Sequence, residues 1–406
     1  MDLRLYPAPL RGAVTPPPSK SVAHRMLIGA ALADGESVLH RIPDCEDVAA
    51  TVDCLRALGV TVTPLSDGTG MRVRGNGGRF PSVASSLPCR ESGSTLRFLL
   101  PVAARGGIRR TFLTCGRLSS RPLSVYETLF ARTGVTLERT DGSVTVTGEL
   151  PAGDYEIPGD ISSQFATGLL FALASTSGIS TLRILPPVES ASYLELTWNA
   201  LRAFGVSVTR TDSFCFRIDG NGGFHPVQDI AVEGDESAAA FFGAMNAVGG
   251  EVTLDGLSPD TAQGDRVWRE YTRAIRDGCP ALSLADCPDL APVLMAQAAL
   301  CSGALFTDTA RLRYKESDRA AVMQTELARF GIRCDVGENT VRVYAPEALH
   351  PPACDISSHN DHRIAMAMSL PAMKTGAVID GAEAVSKSYP AYFEVLGSLG
   401  IRTKQL

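Results

Sequence analysis

CLRALGVTVT (residues 54–63) carries the pattern that decides the fold: the end of an amphipathic helix, a glycine, then a strand of alternating β-branched residues. Gly59 stands where helices commonly end in a left-handed turn, a conformation glycine adopts without steric cost. The phrase returns as TLFARTGVTLE (128–138), ALRAFGVSVT (200–209), RAIRDGCPALS (273–283), ELARFGIRCDV (326–336) and VLGSLGIRT (395–403). Its glycines, Gly59, Gly134, Gly205, Gly278, Gly331 and Gly400, recur roughly 50 to 75 residues apart, the mark of a repeated structural unit. One helix–Gly–strand passage is common in α/β proteins; six predict a repeated unit of sheet and helices, three to each half. We therefore expect an α/β chain of two domains, divided near residue 226 after the GNGGFHP turn. Residues 16–225 would form the N-terminal domain, and residues 1–15 would join 226–406 in the C-terminal one.

The bulk composition agrees with two cores. At 406 residues the chain exceeds one ordinary domain, and with 45% hydrophobic and 20% charged residues it reads as globular. A net charge of −6 lacks the broad positive field that nucleic acid or membrane surfaces require, so any anion site must be local. Ten cysteines, scattered without a CxxC pair or metal-ligand spacing, predict reduced and mostly buried thiols. MDLRLYPAPLRG has neither an apolar leader nor an Arg/Ser-rich one, and no later run reaches about 18 apolar residues, so we expect a cytoplasmic protein.

Polar clusters fall where helices should begin. Ser19-Lys20-Ser21 follows Pro16-Pro17-Pro18 and precedes Arg25 and the apolar run Met26 to Leu32. A serine cap there leaves backbone N–H groups and the positive end of the helix dipole beside two cations, a fit for phosphate or carboxylate. Similar mouths are read at Glu91-Ser92-Gly93-Ser94, Ser162-Ser163-Gln164, Asp235-Glu236-Ser237, Pro288-Asp289, Lys315-Glu316-Ser317-Asp318-Arg319 and Asn360-Asp361-His362-Arg363. Caps explain the Ser, Asp and Asn, but Lys and Arg belong at the opposite helix end. Lys20, Arg25, Arg97, Arg121, Lys315, Arg319, Arg363 and Lys387 all lie in or near such mouths. Converging mouths would hold a multiply anionic ligand. In RLRYKESDR (311–319), Glu316 is either part of a charged helix start or a proton-moving carboxylate set among cations, and Asp289 is a second such candidate. His359 and His362 lack a third ligand at metal-site spacing, and neither a GxxxxGK[ST] loop nor a GxSxG elbow is present.

Taken together, PPPSKSVAHR, ESGSTLR, SRP (120–122), GDISSQF, ESASY, VEGDESA, QGD (263–265), CPD, YKESDR, NDHR and SKSYPAYF resemble, in order and spacing, the 5-enolpyruvylshikimate-3-phosphate (EPSP) synthase family across about residues 7 to 398. The resemblance implies a two-domain inside-out α/β barrel, each domain three βαβαββ repeats, with the active site in the interdomain cleft. It implies transfer of the enolpyruvyl group of phosphoenolpyruvate to shikimate 3-phosphate, with no metal or other cofactor. We expect a monomer, and cations split between two halves, repelling until anions fill the gap, predict an open form that closes on shikimate 3-phosphate. Lys20, Gly93, Arg121, Gln164, Arg319, Arg363 and Lys387 would hold phosphoenolpyruvate. Lys20, Ser21, Arg25, Ser162, Ser163, Gln164, Ser190, Tyr193, Asp289 and Lys315 would hold shikimate 3-phosphate. Asp289 would serve the 5-hydroxyl, Glu316 the proton at C3 and Lys20 the departing phosphate, while Gly93 would leave room for glyphosate. Glu91, Phe98 and Arg311 depart from the family's familiar pattern, where Asn, Pro and Asn stand. The related transferase acting on a UDP-amino sugar, with Cys115 near the place of its reactive cysteine, and a non-catalytic anion-binding protein are the alternatives.

Overall fold

The computed structural model describes residues 1–81 and 85–406. It divides into two compact units, Pro18–Glu233 and Met1–Pro17 with Gly234–Leu406. The second crossing thus falls later than the position expected near 226. Ile230–Ala231 pairs in parallel with Leu39 and His40, and Val227 exchanges hydrogen bonds with Val38 and Ser37, which keeps this stretch in the N-terminal unit.

In the N-terminal unit, helices α1 (Lys20–Leu32), α2 (Glu46–Ala57), α3 (Gly93–Ala103), α4 (Ser124–Thr133), α5 (Ser163–Ala174) and α6 (Ala191–Ala203) alternate between two environments. α1, α3 and α5 are buried along nearly all of their length, whereas α2, α4 and α6 leave one face exposed. Three four-stranded sheets accompany them. In the second, Ser85–Arg90 runs parallel to Arg110–Thr114, which pairs antiparallel with Ser143–Thr147 and through it with Thr136–Thr140. This is a βαβαββ unit: two parallel strands joined by a buried helix, then an outer helix and a hairpin. The third sheet repeats it, and the first does so with its opening strand supplied by Ile230–Ala231.

The C-terminal unit follows the same scheme with α7 (Glu236–Ala247), α8 (Trp268–Asp277), α9 (Ala291–Ala298), α10 (Arg319–Ala328), α11 (His362–Thr375) and α12 (Tyr392–Ser398). α7, α9 and α11 form its buried centre. Two of its sheets are four-stranded, the last of them closed by Leu3–Leu5, which lies between Ala377–Asp380 and Thr403–Gln405. The remaining repeat corrects the expectation of three full units. Only Arg11–Val14 and Glu251–Leu254 pair there, because α8 runs into the first strand of the next repeat, Ala281–Ser283, without a hairpin. Gly278 consequently differs from its five counterparts. They have φ between 72° and 112°, as a helix-ending glycine should, whereas Gly278 is extended at φ 178°. Six of the ten cysteines are buried, and among the described residues no helix is long and apolar enough to cross a membrane.

Candidate functional site

Each predicted mouth begins a helix. Ser19, Ser92, Ser162, Asp235, Asp318 and Asp361 accept a backbone N–H from the first turn of α1, α3, α5, α7, α10 and α11. Pro288-Asp289 instead forms a 3₁₀ turn that feeds α9, so Asp289 precedes its helix rather than capping it.

The N-terminal unit gathers ten of the predicted residues. Lys20 Nζ lies 2.7 Å from the Asp47 carboxylate at the start of α2. Arg25 is buried and ties three helices together. Its Nη1 donates to the Ser21 carbonyl at 2.7 Å, Nε to Thr197 at 2.9 Å, and Nη2 to the Tyr193 carbonyl at 3.1 Å and Thr167 at 3.3 Å. Four of its five N–H groups are thus committed within the unit. Burial lowers its pKa to about 9. On α5, Gln164 receives Arg97 Nη1 on Oε1 at 2.7 Å and donates from Nε2 to Ser94 at 3.0 Å, which links the mouths of α3 and α5. Gly93 faces the Arg121 guanidinium, and a Cβ built on it would lie 2.6 Å from Nη1. Ser162 and Ser163 open α5, and Ser190 precedes α6 in a left-handed conformation with φ 57°.

Beneath these mouths runs a buried relay. His24 Nδ1 lies 2.8 Å from the Thr51 hydroxyl, Thr51 lies 2.6 Å from Thr95, and Thr95 donates to the Ser92 hydroxyl at 2.7 Å. Burial, then Lys20 and Arg25, push the His24 pKa well below its usual value, so the ring is neutral. The relay binds α1, α2 and α3 through polar groups that no motif announced.

Of the other six, the C-terminal unit gathers Lys315, Glu316, Arg319 and Arg363 around Asp289, while Lys387 reaches the turn before α11. Asp289 Oδ1 receives Arg319 Nη1 at 2.9 Å and Lys315 Nζ at 3.1 Å, and its Oδ2 receives Arg363 Nη2 at 3.0 Å. Arg319, buried at the first position of α10, also reaches Glu316 at 2.7 Å and Asp361 at 2.9 Å. Burial opposes its charge, but Asp361, Glu316 and Asp289 outweigh that and raise its pKa. For Asp361 burial likewise favours the neutral acid, and Arg319 wins, so its pKa is lowered. Burial holds the Lys315 ammonium down at about 8 although Asp289 favours its charge. Arg363 Nη2 also donates to Ser237 at 3.0 Å, and Lys387 Nζ donates to the Asn360 carbonyl at 2.6 Å. The mouths of α7, α9, α10 and α11 therefore meet in one knot of alternating charges, able to exchange internal carboxylates for those of a ligand.

A family model described as EPSP synthase (3-phosphoshikimate 1-carboxyvinyltransferase) matches residues 6–396. The chain belongs to this family. Proteins named 3-phosphoshikimate 1-carboxyvinyltransferase from Clostridium kluyveri and Clostridium beijerinckii are 38% and 36% identical to it. The alignments cover 98% of this chain and 96% and 97% of those proteins. The solved EPSP synthase of Acinetobacter baumannii superposes with a TM-score of 0.78 at 25% identity, covering all of both chains. An enolpyruvyl transferase of Streptomyces tendae, at 18% identity, shares the fold with a TM-score of 0.76 over 99% of this chain and 98% of its own.

Against the familiar EPSP synthase pattern, the three departures have local explanations. Phe98 is buried with the Arg25 guanidinium 5.0 Å above its ring, and His24 edge-on to it. Arg311 donates to the Ala285 carbonyl and so fastens the loop leading to Asp289. The Glu91 side chain lies over Gly116, which has no Cβ to obstruct it, in the segment that leads to Arg121. Sequence reasoning missed Asp47 as the partner of Lys20, because an acidic residue in a first helical turn is ordinary. It also gave Asp361 no role beyond a helix start, although Asp361 binds the most deeply buried cation of the knot.

Proposed function

We propose that this EPSP synthase family member moves the enolpyruvyl group of phosphoenolpyruvate to the 5-hydroxyl of shikimate 3-phosphate and releases phosphate. The observation that carries the residue assignment is the knot around Asp289, where three cations share one carboxylate beside a second, Glu316. The two substrates bring two phosphates and two carboxylates. On their arrival Arg319 and Arg363, with Lys20, Arg121, Gln164 and Lys387, bind phosphoenolpyruvate, with Gly93 allowing Arg121 its close approach. Lys20, Ser21, Arg25, Ser162, Ser163, Gln164, Ser190, Tyr193 and Lys315 bind shikimate 3-phosphate. Asp289, relieved of its cations, faces the 5-hydroxyl.

The chemistry balances in two steps. In the first, the 5-hydroxyl oxygen bonds to C2 of phosphoenolpyruvate, its proton passes to Asp289, and C3 takes a proton from Glu316 to become a methyl group. In the second, the C2–phosphate oxygen bond breaks, C3 returns its proton to Glu316, and Lys20 meets the charge on the departing phosphate, which leaves with the proton that Asp289 took. The deciding experiment measures phosphate release from phosphoenolpyruvate with shikimate 3-phosphate, with a UDP-amino sugar, and with no acceptor. Turnover only with shikimate 3-phosphate is expected; turnover only with the sugar nucleotide, or binding without turnover, rejects the proposal.

A further inference from the structure

The three cations of the C-terminal unit assigned to phosphoenolpyruvate all depend on one turn, residues 357–361. Asp361 holds Arg319 Nε at 2.9 Å and caps α11 by accepting the Arg363 N–H at 2.9 Å. The Asn360 carbonyl receives Lys387 Nζ at 2.6 Å. To present these groups the chain adopts φ 50° at His359 and 54° at Asn360, two successive left-handed residues without a glycine. Such residues persist only where their surroundings hold them.

Part of that hold lies in the turn itself. Ser357 Oγ accepts the His359 N–H at 3.1 Å, Ser358 Oγ the Asn360 N–H at 3.3 Å, and the Ser358 carbonyl the Asp361 N–H at 2.9 Å. The rest comes from α10, the helix that begins with Arg319. Near its end the fully buried Glu326 carboxylate lies 2.8 Å from His359 Nε2 and accepts the Ser357 N–H at 3.2 Å, while Arg329 Nε balances it at 3.1 Å. A carboxylate can only accept, so His359 Nε2 carries the proton and donates it. α10 thus grips the turn at both ends, through Arg319 on Asp361 and through Glu326 on His359.

We propose that Glu326 and His359 are positioning residues, a clasp that holds the 357–361 turn in its left-handed form and so sets Arg319, Arg363 and Lys387 for phosphoenolpyruvate. This rests on the functional reading above, and neither residue touches substrate. Three forms of the full chain test it: wild type, H359A and H359G. Alanine removes the imidazole and disfavours positive φ, whereas glycine removes the imidazole but adopts that backbone freely. H359A should raise KM for phosphoenolpyruvate about tenfold, the scale of one strained residue released, with kcat and KM for shikimate 3-phosphate within about twofold. H359G should recover most of that loss. In the unliganded protein, amide hydrogen exchange at Asp361 and Arg363 should be about tenfold faster in H359A, and intermediate in H359G. If wild type makes no phosphate from the two substrates, the functional reading fails and amide exchange alone decides the clasp. Unchanged exchange in H359A overturns the clasp whatever the turnover. Equal losses in both KM values and kcat, unrelieved by glycine, overturn it as a device for phosphoenolpyruvate.

Discussion

Replacing Gly93 by alanine separates folding from function at one position. Gly93 is the first residue of α3 and has no left-handed backbone, so nothing in the main chain requires glycine there. The demand comes from Arg121: an added Cβ would stand 2.6 Å from Nη1 and 3.1 Å from Cζ. Carbon packs comfortably at about 3.5 Å, so the guanidinium must retreat by roughly 0.9 Å. A side-chain tip can move that far at little expense to stability, and alanine adds up to about 1 kcal/mol to a helix relative to glycine. The melting temperature should therefore hold or rise by about 2 °C in a unit of this size. A ligand anion, by contrast, loses its charged hydrogen bond to a displaced Arg121, worth about 1.5–3 kcal/mol. That corresponds to about a 10- to 150-fold rise in KM for phosphoenolpyruvate. The assay is phosphate release against phosphoenolpyruvate concentration at saturating shikimate 3-phosphate, beside a melting curve. Wild type should be inhibited by millimolar glyphosate and G93A much less. A G93A enzyme with an unchanged melting temperature and a KM within twofold of wild type would refute the reasoning.

Three other outcomes follow from the charge knot. With Lys315 at about 8, its ammonium loses its proton as pH rises through 8, so shikimate 3-phosphate affinity should fall about tenfold per unit above that pH, and K315R should flatten the profile; titration calorimetry from pH 7 to 9 checks this, and a flat wild-type profile contradicts it. Asp361→Asn leaves the buried Arg319 with Asp289 and Glu316 only and should lower unfolding stability by about 3 kcal/mol in urea. Because the Asp361 pKa is lowered by folding, its contribution is complete above the unfolded value of about 3.9 and is lost as pH falls through the folded one, so D361N should show the flatter acid limb. Glu316→Gln should reduce kcat at least about 100-fold at saturating substrates, and near-normal turnover would remove Glu316 from proton transfer.

How much of this was legible in the sequence depended on whether the information was local. The helix mouths were, because a Ser or Asp cap is read within one turn, and six of them cap as the residues suggested. Five of the repeating glycines were legible for the same reason. Gly278 was not, since the missing hairpin after it is a property of the whole repeat and leaves its phrase superficially unchanged. Partnerships across elements were hidden altogether. Nothing near Lys20 points to Asp47, and nothing near Arg25 tells that Thr167 and Thr197 will occupy its N–H groups. Arg25 looked like a cation waiting for a ligand and is to a large extent a tie between helices.

The strand Leu3–Leu5 also governs when this protein can be finished. It pairs with Ala377–Ile379 and with Thr403–Gln405, the last strand of the chain. At about 5–20 residues per second, synthesis separates the first strand from its final partner by roughly 20 to 80 seconds. The N-terminal unit, by contrast, is complete once Glu233 has emerged, with Ser19 N–H on the Glu233 carbonyl at 2.7 Å joining its ends. On the ribosome, therefore, residues 18–233 can fold while Leu3–Leu5 still awaits both of its partner strands.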